Sequence, residues 1–97
     1  MTIRISESAV QDLEDGRDFY EFQEAGLGRY FEDCLSSDIE SLILYKGLQR
    51  KIFGHYRLLS KRFPFAIYYK IDDDGGVLIH RVLDCRSNPA RHYRALR

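Results

Sequence analysis

The stretch "KRFPFAIYYKIDDDGGVLIHRVLDCRSNP", residues 61–89, decides the fold of this chain. Within it, two runs rich in aromatic and branched side chains, residues 65–71 and 77–84, flank the acidic and glycine-containing cluster 72–76. Runs of this composition favour β-strands, and such a cluster favours a tight connection, so the stretch predicts an antiparallel hairpin. Another aromatic-rich run, residues 55–63, comes just before it. The sequence therefore predicts three or four antiparallel strands in the C-terminal half.

Two amphipathic helices are predicted upstream of these strands. The first covers roughly residues 7–24, with Ser6 or Ser8 placed to cap its start. The glycine-containing segment "AGLG", residues 25–28, ends it, and Gly47 ends the second helix. The side chains predicted to face the core are Val10, Leu13 and Tyr20, with Ala9 and Gly16 beside them, in the first helix, and Phe31, Leu35, Ile39 and Leu42 in the second.

The order of these elements predicts the fold class. A short alternating strand, residues 2–5, precedes the helices, and the short connection between the helices favours an antiparallel hairpin that needs a surface to bury its apolar faces. The prediction is an α+β domain: an N-terminal strand, an antiparallel two-helix hairpin, a three- to four-stranded antiparallel sheet and a basic C-terminal tail. A chain of 97 residues with 44% hydrophobic content is large enough for one core, so residues 1–97 are expected to form a single domain.

Several protein classes are disfavoured by composition. No apolar run approaches the roughly 18 residues that a membrane span needs, and the N-terminus lacks the pattern of a signal peptide, so a cytoplasmic protein is expected. Cys34 and Cys85 have neither metal-site nor disulfide-scaffold spacing, so both are expected to be reduced, with Cys34 in the core. The aspartates of residues 72–74 lack the pattern of a calcium loop. No metal and no cofactor are expected.

The charge is divided sharply along the chain although the formal net charge is zero. Residues 1–45 carry three basic and eleven acidic side chains, a charge of −8, whereas residues 46–97 carry twelve basic and four acidic ones, a charge of +8. A segregated positive half suggests a polyanion or an acidic partner. The alternative is that acidic residues merely coat solvated helices and basic residues coat an exposed sheet face.

The side chains suited to binding or proton transfer lie in the basic half. The sequence Asn88-Pro89 ends the last strand, which places Arg86 on the rim of the sheet while Val82 and Leu83 enter the core. A planar guanidinium there suits phosphate or carboxylate, unless the tail is only a solvated chain end. The candidate residues are Arg57, Lys61, Arg62, Arg86, Arg91, His92, Tyr93 and Arg94.

Four further residues with polar rings are interpreted as structural. His80 lies in the middle of a strand, and Tyr68 and Tyr69 lie on a strand rich in aromatic residues, where packing explains their presence. His55 follows a glycine at the entrance of a strand, which suggests a hydrogen-bonded turn histidine.

With this order of elements and these motifs, the chain resembles toxins of the bacterial RelE/ParE superfamily, the stable partners in type II toxin-antitoxin modules. The resemblance covers nearly the whole chain. It is strongest in residues 61–89, where a basic-Phe-Pro-aromatic-x-Ile-Tyr-Tyr run, an acidic turn and a final strand ending in Val-Leu-x-x-Arg-x-x-Pro follow in the family's order. The segment "SESAVQDLEDGRDFY", residues 6–20, resembles the family's first helix.

Two branches of this superfamily differ in mechanism. Ribosome-dependent mRNA endonucleases resembling RelE carry basic residues at the positions of Ala66 and Ser87, which are missing here. Lysines of that branch fall near Arg57 and Leu59, so one of the two is retained as an arginine, and Arg86 and Tyr93 match a basic residue and a tyrosine of its tail. If the protein is an enzyme, the resemblance implies an mRNA endoribonuclease. Its catalytic candidates are Arg57, Arg86 and Tyr93.

The ParE-like branch, associated with poisoning of DNA gyrase, resembles the chain better around "RFPF" and "NP". The chain departs from it after the last strand, where Asp84-Cys85 stands in place of a His-Gly pair. The resemblance therefore favours a non-catalytic inhibitor of growth, from a module class linked to plasmid stabilisation, with an endonuclease or a degenerate, non-toxic antitoxin-binding domain as alternatives. The residues expected to contact the target are Arg57, Lys61, Arg62, Arg86, Arg91, His92 and Arg94.

The resemblance also implies the partners of the chain. They are a cognate antitoxin protein and a target, either DNA gyrase or the ribosome with its mRNA; a membrane is not among them. Whether the toxin forms a homodimer, or a heterotetramer with its antitoxin, stays open.

Overall fold

A computed structural model describes residues 2–97 of the chain. The regular elements, in chain order, are β1 (Ile3–Ile5), α1 (Glu7–Gln23), α2 (Leu27–Glu40), α3 (Leu42–Tyr45), β2 (Lys51–Ile52), β3 (His55–Leu59), β4 (Phe65–Ile71), β5 (Val77–Asp84) and α4 (Pro89–Leu96). The α+β class and the N-terminal order of strand followed by helical hairpin are confirmed. The hairpin predicted from the deciding stretch forms with the predicted bounds, because β4 and β5 pair antiparallel around the 72–76 turn.

The sheet combines the N-terminal strand with four antiparallel strands, the upper number of the three to four that the sequence predicted. Its five strands lie in the order β1-β5-β4-β3-β2. The pairs β2–β3, β3–β4 and β4–β5 are antiparallel, whereas β1 pairs parallel with β5. The sequence did not locate the fourth antiparallel strand, β2, because it is only two residues long, too short for hydrophobic alternation to reveal it.

The helical hairpin packs on one face of the sheet, called here the helix face. Ser6, not Ser8, caps α1, because its Oγ accepts a hydrogen bond from the Ala9 backbone nitrogen at 3.0 Å. The two helices approach closely at Gly16, where an added Cβ would lie 2.6 Å from the Phe31 ring. The connection needs Gly26, whose φ of 89° is in the left-handed region.

The main core lies between this hairpin and the helix face. Leu13 is partly buried and packs against it, but Val10, predicted to be buried, is 42% exposed because it lies beside the buried stripe. Cys34 is also only partly buried, at the margin of the core. The buried members are Ala9, Tyr20, Phe31, Leu35, Ile39, Leu42, Phe65, Ile67, Tyr69, Val77, Ile79 and Val82.

The opposite face of the sheet, called here the open face, is partly covered by α4. The sequence predicted only a basic tail here, but Asn88 caps a helix whose first residue is Pro89. The Asn88 Oδ1 accepts from the Ala90 backbone nitrogen at 2.9 Å. Leu96 of this helix is buried against Ala66 and Tyr68. The tail is therefore part of the folded domain.

Leu83 contributes to this second cluster rather than to the main core. Successive strand residues point to opposite faces, so Val82 and Leu83 cannot share one core. Val82 is 2% exposed on the helix face, while Leu83 is only partly buried and packs under α4. The prediction that both enter the same core was wrong in this respect.

A β-bulge interrupts the pairing of β4 with β5. Tyr68 pairs with Arg81 and Tyr69 pairs with Ile79, which leaves His80 as the extra residue. The backbone carbonyl of His80 turns toward the start of α1, where it accepts a hydrogen bond from Ser6 Oγ at 2.7 Å.

Candidate target-binding surface

The two arginines of α4 are among the exposed residues predicted to contact the target. Arg91 and Arg94 are exposed, and within residues 2–97 neither forms an ion pair. Three residues apart on a helix, they project from the same side. Both line a groove of about 530 Å³ between α1 and α4, opposite Asp12 and Asp15. The arrangement gives this side of the domain two guanidinium groups that can accept an acidic or phosphate-bearing partner.

His92 lies between these arginines in sequence but does not share their exposure. It is 6% exposed, with Nδ1 2.8 Å from the Tyr68 hydroxyl. Its Nε2 lies 2.8 Å from the Asp84 carbonyl and 2.9 Å from Ser87 Oγ. The prediction that His92 contacts the target is corrected by this burial, because the ring is used to fix α4 on the sheet.

Arg86 lies on the rim, as predicted, but its guanidinium is already occupied. Its Nη2 and Nε atoms lie 2.7 and 3.0 Å from the carboxylate of Asp84, and its side chain is 58% exposed. This hydrogen-bonded pair lowers the pKa of Asp84 and raises that of Arg86. A target that uses Arg86 must bind it together with Asp84 or displace the carboxylate.

Arg57 is half-buried on the open face, beside Tyr68 and Cys85. Burial raises the pKa of Tyr68, an effect that hydrogen bonding and charge from Arg57 oppose. Burial likewise raises the pKa of the Cys85 thiol, which the positive charge of Arg57 opposes less strongly. Both groups therefore stay protonated at neutral pH, and this cluster provides no activated nucleophile.

Lys61 and Arg62 lie in the loop between β3 and β4. The Lys61 backbone nitrogen donates to Asp38 Oδ2 at 3.3 Å, and Ser60 Oγ donates to the same oxygen at 2.6 Å. Asp38 is 6% exposed, so these bonds fix the loop against α2. The two basic side chains are exposed and line a cleft with α2, away from the groove between α1 and α4.

The three candidate catalytic residues have different neighbours. Tyr93, 48% exposed on α4, packs edge-on against Phe53 with ring centroids 5.5 Å apart. Arg86 pairs with Asp84 at the end of β5, and Arg57 adjoins Tyr68 on the sheet. The contacts do not unite the three groups around one reacting position.

The two positions at which the endonuclease branch carries basic residues are used for packing. Ala66 is fully buried in the cluster that contains Leu96. Ser87 Oγ donates to the Asp84 carbonyl at 2.6 Å and contacts His92. An arginine in place of Ala66 would have to displace α4, and the hydroxyl of Ser87 supplies no positive charge.

The residues interpreted as structural have that role for the most part. Tyr68 and Tyr69 are 1% and 0% exposed, and His55 is 2% exposed with its Nδ1 3.1 Å from the Phe53 carbonyl. Sequence reasoning missed the position of His80, which joins His55 on the open face next to Lys70. The register of β3 with β4 puts His55 and Lys70 on one face, but the bulge that brings His80 to them leaves no sequence signal.

Across residues 2–97 the structure contains no cluster of three or more potential metal-binding side chains. In the same part of the chain, no helix combines the length and the apolar character needed to cross a membrane.

Comparisons with known proteins place this geometry in context. Residues 3–89 match the family model described as "ParE toxin of type II toxin-antitoxin system, parDE". Among solved structures, the fold is similar to a chain of the "Chromosomal ParDE TA system from P. aeruginosa", with a TM-score of 0.72 and 17% sequence identity. That similarity covers 84% of this chain and 92% of the other, and at this identity it concerns the fold alone. A comparison with curated protein sequences finds no match.

Proposed function

The chain belongs to the ParE toxin family of type II toxin-antitoxin systems, and we propose that it inhibits growth by poisoning DNA gyrase and is neutralised by a cognate antitoxin. Gyrase is cytoplasmic, so the protein acts in the cytoplasm. It acts by binding, not by cleaving RNA itself.

The observation that carries the non-catalytic proposal is the burial of Ala66 beneath α4. Cleavage of RNA requires cations placed against the charge that develops on the phosphate, and losing one such donor typically costs about 10²–10³ in rate. Ala66 is fully buried, and Ser87 is committed to Asp84 and His92. The surface instead offers exposed arginines, which suit an interface.

The residues proposed to contact the target lie in three places. Arg91 and Arg94 lie along the groove between α1 and α4, and Arg86, at the end of β5, pairs with Asp84, which also lines that groove. Lys61 and Arg62 form a separate group in the loop beside α2, and Arg57 lies on the open face. Gyrase is proposed to engage Arg91 and Arg94, because both exposed guanidinium groups are held on one helix that is fixed to the sheet.

The antitoxin is proposed to be an acidic, partly disordered chain that folds on the toxin. Such a chain can cover the apolar residues left exposed on the helical side while its carboxylates meet the positive half of the domain. The split of −8 and +8 between residues 1–45 and 46–97 supports this. Exposed apolar side chains on this side include Phe19, Phe22, Ile43, Leu44 and Tyr45.

The proposal is tested with purified gyrase, relaxed plasmid and the purified chain. We expect loss of supercoiling and accumulation of cleaved plasmid, both reversed by the antitoxin. The double variant R91A/R94A should lose at least about tenfold in potency, since removing interface arginines costs about 1–2 kcal/mol or more. The double variant R17A/R29A is a matched control, because these arginines are exposed on the helical hairpin.

Three results would contradict parts of this proposal. Equal potency of R91A/R94A and wild type against gyrase would show that Arg91 and Arg94 of α4 are not part of the interface. An inactive chain in the gyrase assay that cleaves mRNA at mapped codons on translating ribosomes would establish the endonuclease alternative, for which the exposed side chain of Tyr93 is the favourable feature. A chain that binds antitoxin but arrests no cells would instead be the degenerate form.

A further inference from the structure

Two histidines form a direct hydrogen bond across the open face. Nε2 of His55 on β3 lies 2.7 Å from Nδ1 of His80 on β5, and the rings are 4.8 Å apart between centroids. The other ring nitrogen of His55, Nδ1, lies 3.1 Å from the Phe53 carbonyl. His55 is 2% exposed, and the bulge at Tyr68/Tyr69 brings His80 to it.

These contacts fix the positions of the protons. The Phe53 carbonyl can only accept, so Nδ1 of His55 carries the proton and its Nε2 is an acceptor. Nδ1 of His80 must then be the donor to His55. The acceptor lone pair of neutral His80 is left on Nε2. In this arrangement both histidines carry the proton on Nδ1.

Nε2 of His80 is accessible to solvent. None of the buried side-chain nitrogen and oxygen atoms among residues 2–97 lacks a hydrogen-bond partner, and this nitrogen makes no hydrogen bond in the structure. His80 itself is partly exposed. A proton bound at Nε2 leaves the Nδ1 hydrogen bond to His55 intact and makes it charge-assisted. His80 can therefore become cationic without loss of its partner.

The charged groups that face the pair are positive. Lys70 of β4 lies near both rings, and Arg81 of β5 lies near His80, with its own charge balanced by Asp12 of α1. Burial, followed by these neighbouring charges, lowers the pKa of His80. Burial also lowers that of His55, with the Phe53 hydrogen bond opposing and the His80 and Lys70 charges adding to the effect. An anion placed over Lys70 offsets the part of this lowering that comes from the Lys70 charge.

We propose that binding of an acidic polypeptide segment to the open face is coupled to uptake of one proton at His80 Nε2. The segment's carboxylates contact Lys70 and the protonated His80, so the surface binds more tightly as the pH falls. The proposal rests on the proposed function in one respect: the acidic polypeptide is the antitoxin. The pH dependence of binding follows from charge complementarity. The partner brings negative charge to the open face, where the charged side chains described near His80 are cationic.

The experiment uses the full chain and poly-L-aspartate as the acidic probe. Affinity is measured by calorimetry from pH 7.5 to 5.5 at constant ionic strength, in two buffers of different ionisation enthalpy, so that proton uptake is obtained directly. We expect affinity to rise by about fivefold as His80 becomes protonated, the effect of one added charge pair near the surface. Up to one proton should be taken up per bound site.

Variants separate the roles of the two cations. H80Q should bind with an affinity that is independent of pH in this range and with no proton uptake. K70Q should bind more weakly at every pH but keep the pH dependence. Nitrogen-15 NMR of the free chain, which has three histidines, should show His55 and His80 protonated at Nδ1 when neutral.

Three outcomes would overturn the inference: pH-independent binding by wild type, an unchanged pH dependence in H80Q, or neutral His80 protonated at Nε2. None depends on gyrase, so failure of the gyrase assay and failure of this proposal are read separately. Circular dichroism of H80Q at pH 7.5 establishes that the variant is folded. If H80Q is unfolded, the NMR assignment of the wild-type tautomers and its proton uptake decide the proposal.

Discussion

Both carboxylate oxygens of Asp12 on α1 are held by Arg81 on β5, at 2.7 and 2.9 Å. The Oδ2 atom also accepts a hydrogen bond from the Val82 backbone nitrogen at 2.9 Å. The pairing of β1 with β5 extends only to Ile79, so Asp12 provides a partner for the strand edge beyond that point. One side chain thus attaches the first helix to the central hairpin.

Replacing Asp12 with alanine should destabilise the domain by about 3 kcal/mol. The change leaves a partly buried guanidinium without its partner and an edge nitrogen without its acceptor. The Asp12 side chain is 12% exposed and that of Arg81 is 25% exposed, so solvent replaces these bonds poorly. Chemical denaturation measures the change in the free energy of unfolding. The control D15A removes an exposed aspartate one turn later in the same helix and should cost less than about 0.5 kcal/mol. Similar losses in both variants would contradict a stabilising role for the Asp12–Arg81 contact, called here the clamp.

The comparison of sequence with structure shows which features local patterns encode. Strands β4 and β5 were predicted to the residue because each combines branched and aromatic side chains with a clear turn between them. Helix α4 was missed because only His92 and Leu96 of its eight residues are buried, too few to mark an apolar face in the sequence. The clamp between Asp12 and Arg81 was missed because it joins residues 69 positions apart.

The contact between Tyr68 and His92 predicts how α4 is held. Replacing Tyr68 with phenylalanine keeps the ring but removes the hydroxyl that lies 2.8 Å from Nδ1 of His92. We expect the free energy of unfolding to fall by about 1–2 kcal/mol, since a buried acceptor loses its donor. Hydrogen exchange should accelerate mainly in residues 89–96. The control Y93F removes an exposed hydroxyl from the same helix; uniform acceleration throughout the domain in Y68F would contradict local anchoring.

The two cores should differ in their sensitivity to truncation. Leu35 is fully buried in the main core, so L35A should cost about 2–5 kcal/mol. Leu83 is only partly buried under α4, so L83A should cost less than about 2 kcal/mol and should loosen α4 first. Thermal unfolding with hydrogen exchange distinguishes the two. A larger loss in L83A than in L35A would mean that the second cluster is the principal core.

Stability should fall as the pH is lowered below about 6.5, the ordinary pKa of histidine. The pKa values of His55 and His80 are lowered in the folded chain, first of all by burial. At the same pH the unfolded chain therefore binds more protons than the native state. The stability that depends on these two histidines being neutral is fully present above their pKa in the unfolded chain. It is lost as the pH falls toward their pKa values in the folded chain. Denaturation between pH 7.5 and 5 measures this slope, at a pH above the range in which Asp84 titrates. The double variant H55Q/H80Q should be less stable at pH 7.5 but show a flatter slope; an unchanged slope would assign the effect elsewhere.

Arg86 tests whether the rim at the end of β5 binds the target. Its side chain is largely exposed, so R86A should change the free energy of unfolding by no more than about 1 kcal/mol and should still bind antitoxin. If the guanidinium contacts the target, cells should survive expression of R86A. The matched control is R4A, which breaks the exposed 3.0 Å pair between Arg4 of β1 and Asp72 of the β4–β5 turn and should stay toxic. D84N keeps Arg86 while weakening its ion pair, so its toxicity should equal or exceed that of wild type. If R86A arrests growth as strongly as wild type at matched protein levels, Arg86 does not contact the target. The Asp84–Arg86 pair would then have only a structural role at the end of β5.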